Sequence, residues 1–558
     1  MEYLVFFGVI GLAFIGFMIK GVYDNINYKK HYAEKLRRDY GKFPNKEYKA
    51  ERYENIPNYF LRHKTDYFID DITWNDLEMD TIFQLMNHSH SASGEEYLYH
   101  TLRCPQLDLE QLKKMDSQIE YFRKEEDVRV KLQTIFTEIG FTGKYSIYDY
   151  LDFLSDIKHT SNRIHIFQNL LFLPAFALFF ANTMAGIVTL VAVICFNIAS
   201  YMKYKKEIEP YITSFSYVFR ILNGAKKIET LKAPLIEDEK NEIHLLSGKF
   251  KKFYQNSSVV MKTADGSNPL DVIFIYFNMT FHMDIMIFNR MLHELMGHQE
   301  DIDRLITKIG YLETLLSIGC FRESIGTYCT PEICSEKILK LENVYHPYIS
   351  DPVKNTIEAS RGVLLTGSNA SGKSTFLKTV ALNAVLAQTI YTCAADSYKG
   401  CFFKVYSSMA LRDDLGSKES YYIVEIRSLK RILDQAQDTQ IPVLCFVDEV
   451  LRGTNTVERI AASSQILYNL ADKNVICFAA THDIELTQLL KAKYDNYHFE
   501  EEITNDDVIF NYLLKTGHAT TRNAIKLLSV MGYEESIIEN ANLMASGFLE
   551  NGIWDIKE

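Results

Sequence analysis

The stretch RGVLLTGSNASGKSTFLKTVALNAVLAQ, residues 361–388, decides the fold of the second half of the chain. It contains the pattern GxxxxGK[ST], with fixed positions Gly367, Gly372, Lys373 and Ser374. Residues 363–366 predict a buried strand before this loop, and residues 376–386 predict a helix after it. In such a loop, backbone amides hold phosphates, the lysine reaches the outer phosphates and the serine hydroxyl binds Mg²⁺. The predicted ATP-binding residues are Gly367, Ser368, Asn369, Ala370, Ser371, Gly372, Lys373, Ser374 and Thr375.

A second apolar segment, PVLCFVDEVLRGTNT, ends in two carboxylates. Residues 443–447 predict a strand that leads into Asp448 and Glu449. A carboxylate at the end of such a strand can hold Mg²⁺, and a second one can orient or activate the attacking water. We therefore predict that Ser374 and Asp448 are the metal ligands and that Glu449 is catalytic.

A third segment, VICFAATHD, predicts another buried strand and ends with His482. A strand-end histidine is often structural, but here it follows the other two predicted strand ends. A histidine in that place can sense the terminal phosphate through a hydrogen bond. We predict that His482 is the second catalytic residue.

These motifs together resemble those of the MutS family of DNA mismatch repair ATPases, whose nucleotide domain is of the ABC type. The loop GSNASGKST is similar to the family's G-P-N-x-x-G-K-S-T, with Ser368 in place of the proline. The segments DEVLRGTNT and ATHDIELTQL resemble the family's D-E-x-x-R-G-T-x-T and A-T-H-x-x-E-L. The resemblance implies an ATPase that works as a homodimer, and it implies DNA as a candidate partner.

The resemblance also implies residues that act across the dimer. RDDLGSKESYYIVEI is similar to the family's D-D-L-x-x-x-x-S-T-F-x-x-E-M, with Tyr421 and Tyr422 in place of Thr and Phe. Ser420 would then open a helix that faces the partner's nucleotide, and Glu425 matches the family's glutamate. Ser420 and Asn455 are accordingly the predicted trans-site residues.

The resemblance extends from about residue 68 to residue 545 and includes residues 70–112 and the His-Pro turn at His346. The family's mismatch-recognition domain, with its F-x-E motif, has no counterpart before this region. Only about 45 residues lie between the apolar N-terminal stretch and residue 68, where the resemblance begins. We expect these to be too few for a further domain of ordinary size.

Two apolar stretches predict membrane helices. Residues 2–19 have about the length of one bilayer crossing, and the basic residues that follow favour an uncleaved anchor with the rest of the chain in the cytoplasm. Residues 166–202 carry no charge and predict two short crossings with a turn near Asn182. The alternative for the second stretch is a buried helical hairpin in a soluble domain. Residues 270–292 are apolar but interrupted by polar side chains, and they predict a buried core helix.

The composition shows no excess of basic residues, because the net charge is −12. A general affinity for nucleic acid is therefore not indicated, and Lys251, Lys252 and Lys262 are more typical of a solvated face. The nine cysteines lack paired metal-binding spacing, which fits a reducing cytosol.

The expected fold is an α/β ABC-type P-loop ATPase domain plus an all-α MutS-like core and lever domain, with transmembrane helices. The predicted segments are an N-terminal transmembrane anchor (1–22), a juxtamembrane linker (23–67), a helical core and lever (68–340) interrupted by a transmembrane hairpin (166–202), the ATPase domain (341–516) and a C-terminal helical dimerisation segment (517–558). We expect a multi-pass protein of the cell membrane, with the ATPase and core facing the cytoplasm.

The predicted function is that of a membrane-anchored MutS-like ATPase that binds and hydrolyses ATP as a dimer, with DNA binding, including mismatched DNA, implied by the resemblance. The alternative is an ATP-driven conformational machine that acts on the membrane or on a protein partner without mismatch recognition. A transporter is disfavoured, because three crossings per chain form a thin permeation path.

Overall fold

The structure is a computed structural model that describes residues 27–155, 161–254, 269–368, 371–409, 421–437, 440–452, 454–503, 508–518 and 531–552, with a few single positions near both ends. Nearly all of the predicted N-terminal anchor lies outside the described residues. The chain divides into two compact units. The helical unit comprises residues 1–63, 86–100 and 117–323, and the sheet unit comprises residues 64–85, 101–116 and 324–558.

Helices make up the chain before the first strand. A helix over residues 27–39 comes first. The helices that follow are α1 (Ala50–Tyr53), α2 (Asn58–Arg62), α3 (Asp71–Asp76), α4 (Met79–Met86), α5 (Ala92–Arg103), α6 (Leu109–Lys124), α7 (Glu126–Ile139), α8 (Ile147–Ser155), α9 (Arg163–Leu170), α10 (Phe172–Ala181), α11 (Thr183–Glu229), α12 (Glu237–Gly248), α13 (Pro269–Phe281), α14 (Met283–Met296) and α15 (Gln299–Ile325).

The remaining part of the chain alternates strands and helices. The strands are β1 (Glu332–Ile333), β2 (Leu339–Val344), β3 (Asn355–Ala359), β4 (Gly362–Thr366), β5 (Ser397–Gly400), β6 (Lys404–Ser408), β7 (Val443–Asp448), β8 (Val475–Ala480), β9 (Tyr494–His498), β10 (Glu501–Ile503), β11 (Val508–Phe510) and β12 (Lys515–Thr516). The helices are α16 (Lys373–Thr389), α17 (Tyr421–Gln435), α18 (Thr456–Ala471), α19 (Glu485–Leu489) and α20 (Glu535–Asn551).

The segment before residue 64, which the sequence presents as a linker, is part of the helical unit. Ile56, Tyr59 and Phe60 are at most 2% exposed. The ring of Tyr59 lies against those of Tyr97 and Tyr148, with centroid distances of 5.4 and 5.8 Å. Burial of these side chains fixes α2 to the core of the unit, because aromatic groups contribute the largest apolar areas.

His63 joins α2 to α15 through a hydrogen-bonded ion pair. Its Nδ1 lies 2.9 Å from the carbonyl of Tyr59, and its Nε2 lies 3.0 Å from the carboxylate of Asp303, which also accepts from the Tyr148 hydroxyl. Both ring nitrogens face acceptors, so the imidazolium form satisfies both. Burial is the largest single effect and opposes this charge, but the hydrogen bonds to Asp303 and Tyr59 and the charge of Asp303 together outweigh it, so the pKa of His63 is raised above 6.5.

The stabilising effect of His63 should depend on pH. A raised folded-state pKa means that the effect is complete below about pH 6.5 and is lost as the pH rises through the folded value. Asp303 has a lowered pKa, so its contribution is lost only in acid. We expect His63→Gln to lower the free energy of unfolding by up to about 1 kcal/mol at pH 6 and by less at pH 8.

Thermal unfolding of both proteins at the two pH values measures this difference. His31→Gln is the matched control, because the His31 side chain is 80% exposed and pairs only loosely with Glu34, at 3.5 Å. If His63→Gln lowered the free energy of unfolding by the same amount at both pH values, the expectation would be contradicted.

Helices α9 to α11 include the apolar hairpin. Arg163–Ala181 and Thr183–Glu209 are long and apolar enough to cross a membrane, by length and composition. Only 17% and 11% of their most apolar windows are buried, which is unlike the core helix of a soluble protein. Asn182 separates them and caps α11 by accepting from the amide of Ala185 at 3.2 Å, so the turn lies where the sequence predicts it.

The prediction of one buried helix over residues 270–292 is wrong. The structure has two helices there, α13 and α14, separated by His282 in a left-handed conformation with φ of 56°. Tyr276 and Phe277 on α13 are 63% and 47% exposed. The apolar pattern predicts a helix but does not reveal a break at a non-glycine residue with positive φ, which is uncommon.

A six-stranded sheet forms the centre of the sheet unit. Its order is β12-β9-β4-β8-β7-β6, in which only β12 is antiparallel to its neighbour. Strands β4, β7 and β8 are buried at every position, as expected for a parallel sheet covered on both faces. A mixed sheet, β1-β5-β2-β3, and the β10–β11 hairpin complete the unit.

Candidate nucleotide-binding site

The polar residues that follow β4, β7 and β8 meet at one edge of the sheet. The register pairs Ala480 with both Leu365 and Asp448, so the three strands end at the same level. The amide of Thr481 donates to the carbonyl of Leu365 at 3.0 Å, and the amide of Glu449 donates to the carbonyl of Ala480 at 2.9 Å. Ligands of open α/β sheets bind at this carboxyl edge.

The loop between β4 and α16 requires glycine at its two ends. Gly367 has φ of 139°, and a Cβ there would lie 2.6 Å from the carbonyl oxygen of Phe499. Gly372 has φ of 101°, and a Cβ there would lie 3.0 Å from the ring of Tyr512. The hydroxyl of Ser371 donates to the carbonyl of Ser368 at 2.8 Å. The loop is therefore a tight cradle that side chains at the two glycine positions would obstruct.

Lys373 lies inside this cradle. It is 3% exposed, and its Nζ donates to the carbonyls of Gly367 and Ser368 at 2.7 and 2.6 Å. Burial lowers the pKa of Lys373 to about 8, although the nearby Asp448, Glu449 and Glu501 act in the opposite direction. A buried ammonium whose hydrogen-bond partners among the described residues are carbonyls is well placed for an anion that would add a charged partner.

Ser374 and Asp448 come together although 74 residues separate them. The Ser374 hydroxyl donates to Oδ2 of Asp448. Burial raises the pKa of Asp448, and the serine hydrogen bond opposes this rise. The other oxygen, Oδ1, is buried and has no hydrogen-bond partner within the part of the chain that the structure describes. An unpartnered carboxylate oxygen beside a hydroxyl fits Mg²⁺, which prefers oxygen ligands.

Glu449 and His482 are also in direct contact. His482 Nε2 lies 2.7 Å from Oε1 of Glu449, and Arg452 pairs with the other oxygen. Burial is the largest single effect and acts to raise the pKa of Glu449, but the hydrogen bond from His482 and the neighbouring positive charges, Arg452 first among them, together outweigh it, and the pKa is lowered. Glu449 is therefore a carboxylate at neutral pH, the form that a general base requires.

The turn that carries Glu449 is strained and is supported from α17. Glu449 and Leu451 have φ of 54° and 61°. This left-handed backbone conformation is costly for residues other than glycine. The carboxylate of Glu425 is buried and accepts from the amide of Leu451. Arg431, on the same helix, pairs with Asp70 and donates to the carbonyl of Ser407, which anchors α17.

A cavity of about 550 Å³ adjoins the glycine loop. Its polar end is formed by the start of α16, including the exposed Ser374 and Thr375. Its other wall carries rings from separate segments of the chain, namely His346, Phe376, Phe499 and Tyr512. Burial lowers the pKa of His346 to about 4, so this ring is neutral. The glycine loop and the ring-lined wall together have the form of a small-molecule site.

The sequence motifs predict the loop, the carboxylates and His482, but they do not indicate the ring-lined wall. The wall combines residues about 150 positions apart, and only His346 belonged to a motif. The motifs also do not indicate the pair of Arg459 and Asp483, joined at 2.9 and 2.6 Å beside His482. Asp483 directly follows His482, so its position next to a predicted site residue could have indicated this ion pair.

Three predicted residues, Asn369, Ala370 and Ser420, lie outside the described residues. Asn455 is described and is exposed at the start of α18. Its side chain accepts from the amide of Glu458 at 3.0 Å and so caps this helix. Its predicted role toward a partner subunit stays a prediction.

Comparison with known protein families identifies a match to the model described as MutS domain V over residues 363–548. This range runs from β4 to α20 and includes the glycine loop, Asp448, Glu449 and His482. Over this range the chain is similar to members of the MutS family. The resemblance predicted from the sequence motifs is thus confirmed.

Curated MutS family relatives match about half of the chain. It is 30% identical over 290 residues to "DNA mismatch repair protein MutS" of Fervidobacterium nodosum, a match that covers 49% of this chain and 34% of that protein. It is 28% identical over 276 residues to the protein of the same name from Fusobacterium nucleatum, covering 47% and 30%. It is 28% identical over 281 residues to "MutS protein homolog 4" of Mus musculus, covering 47% and 28%. The chain thus spans about a third of the length of the curated MutS relatives that it matches.

Proposed function

We propose that this protein is a Mg²⁺-dependent ATPase of the MutS family, with an ABC-type P-loop nucleotide domain, that works as a homodimer and is held in the membrane. The observation that carries this proposal is the convergence of Lys373, Ser374, Asp448, Glu449 and His482 at the carboxyl edge of one parallel sheet. A phosphate cradle, an oxygen pair for a metal and a carboxylate held by a histidine are the parts that phosphoryl transfer needs.

Each residue has one task in this proposal. The amides of the glycine loop and Lys373 hold the phosphates, and Ser374 and Asp448 hold Mg²⁺ through oxygen. When bound, Mg²⁺ neutralises charge on the phosphate oxygens. Glu449 orients the attacking water and accepts its proton, since its lowered pKa keeps it ionised.

His482 and Glu425 position Glu449. His482 holds one oxygen of the carboxylate at 2.7 Å, and in this proposal it also senses the terminal phosphate through a hydrogen bond. Glu425 holds the turn through the amide of Leu451. Binding of ATP between two copies would favour one of two arrangements of the dimer. In this proposal, the change from one arrangement to the other is what acts on the ligand.

The membrane part of the proposal is supported by the two exposed apolar helices, Arg163–Ala181 and Thr183–Glu209. Basic residues flank the uncharged stretch 166–202 that these helices share, namely Arg163 before it and Lys203, Lys205 and Lys206 after it. Basic flanks favour the cytoplasmic side, so we place both ends of the hairpin and both units there, at the cell membrane.

DNA is the candidate ligand, because the relatives are named as DNA mismatch repair proteins. The apolar hairpin favours a second function, in which the ATP-driven change acts on the membrane or on a protein partner without mismatch recognition. The two functions predict different activators of ATP hydrolysis.

The test compares ATP turnover of the purified, lipid-reconstituted protein with no addition, homoduplex DNA, mismatched duplex and extra lipid. DNA action predicts a rise in turnover that is greater with the mismatch and that falls steeply with salt, since phosphate contacts release counterions. Indifference to both duplexes at low salt, with a response to lipid, would leave the second function. No Mg²⁺-dependent turnover under any condition would contradict the ATPase itself.

A further inference from the structure

The outer face of α13 continues the apolar surface of the hairpin. Within the helical unit, the ring of Phe281 lies 5.2 Å from that of Phe172 on α10, and 4.7 Å from that of Phe277 on its own helix. Tyr276 and Phe277 point outward, 63% and 47% exposed. The apolar surface is therefore wider than the two candidate spans.

The C-terminal end of α13 is closed by side chains of its neighbours. A helix leaves its last carbonyls without partners in the helix, and water usually supplies them. Here Asn197 on α11 donates to the carbonyl of Thr280 at 2.9 Å, and Asn169 on α9 donates to that of Phe281 at 2.7 Å. In hydrocarbon no water is present, so a broken helix persists only where the protein supplies these partners.

The polar groups at the break also face one another. His282 is fully buried, with Nε2 at 2.8 Å from the carbonyl of Asn197 and Nδ1 at 2.9 Å from Nδ1 of His165. Just past the break, Asp284 accepts from Lys205 and from the Tyr201 hydroxyl, both at 2.8 Å. The first charged side chain after the exposed rings is thus Asp284 on the α14 side of the break, and residues 275–281 of α13 carry no charge.

We propose that α13 is embedded in the membrane beside the two helices of the hairpin, with lipid acyl chains against Tyr276 and Phe277. This proposal rests on the proposed membrane attachment of the hairpin. At 1.5 Å per residue the 13 residues of α13 extend about 20 Å, less than the ~30 Å of a hydrocarbon core. It enters the bilayer without crossing it. Lipid is the occupant because the adjoining hairpin is exposed on nearly all sides, which one protein partner would not cover.

The test measures contact with acyl chains by tryptophan quenching. Tyr276→Trp and Phe277→Trp are reconstituted in phosphatidylcholine vesicles with or without bromine on the acyl chains, and the emission added over the parent protein is compared. Phe180→Trp is the membrane control, because Phe180 lies on the hairpin and is 75% exposed. Leu245→Trp is the aqueous control, since Leu245 is 70% exposed on α12.

We expect brominated lipid to remove roughly half or more of the emission of a tryptophan at position 276, 277 or 180, because these side chains would lie within the hydrocarbon core. The emission of a tryptophan at position 245 should change little. Quenching at 180 without quenching at 276 and 277 would overturn the proposal for α13 and leave the hairpin in the membrane. A second copy or a protein covering α13 would give this same result. No quenching at 180 would contradict membrane attachment, and the proposal for α13 with it.

Discussion

Lys373→Ala is expected to lower the affinity for ATP and Mg²⁺ by about 100-fold or more, which corresponds to about 2.7 kcal/mol. The Nζ group is buried in the glycine cradle, where its partners are two neutral carbonyls. A charge-assisted bond to phosphate in such a site is stronger than one at the surface, because water does not compete for it. Alanine removes the only side-chain charge of the loop between Gly367 and Thr375.

Titration calorimetry with a slowly hydrolysed ATP analogue measures this loss. Lys399→Ala is the matched control, because Lys399 lies at the surface of the same unit and pairs with Glu332 at 2.6 Å on β1. It should leave the affinity unchanged, since an exposed pair contributes little. If Lys373→Ala binds the analogue as the parent does while remaining folded, the loop is not the phosphate site.

The parts of the site that could be predicted from the sequence are those that depend on local pattern. Apolar runs gave β4, β7 and β8, and the loop motif placed Lys373 and Ser374 at the start of α16. The contact between Ser374 and Asp448 was also predictable, because parallel strands end at one edge. These inferences need only the order of the elements.

Other features depend on packing between distant segments. The hydrogen bond from the Leu451 amide to Glu425 supports the turn that carries Glu449, but nothing local to either residue indicates it. The left-handed His282 is stabilised by a buried hydrogen bond to the carbonyl of Asn197, 85 positions away. A residue such as His282 can adopt this unfavourable backbone conformation because its surroundings satisfy its polar groups. The apolar pattern of the segment does not reveal those surroundings.

Glu449→Gln is expected to lower ATP turnover by about 100-fold to 1,000-fold while leaving the affinity for ATP nearly unchanged. Glutamine has the size of glutamate, and its carbonyl oxygen can still accept from His482, so the turn should keep its shape. It lacks the charge that Arg452 faces and the ability to take a proton from water. ATP should therefore bind and remain, and the nucleotide-bound dimer should accumulate.

Light scattering of the variant in ATP and Mg²⁺ tests this accumulation, and phosphate release measures the turnover. Glu358→Gln on β3 is the control, because that carboxylate is 61% exposed and lies 3.8 Å from Lys340 at the surface. It should hydrolyse ATP as the parent does and form no long-lived dimer. A Glu449→Gln protein that turns over ATP at the parent rate would remove Glu449 as the base. One that binds ATP without turnover but stays monomeric would keep the chemistry and contradict the dimer.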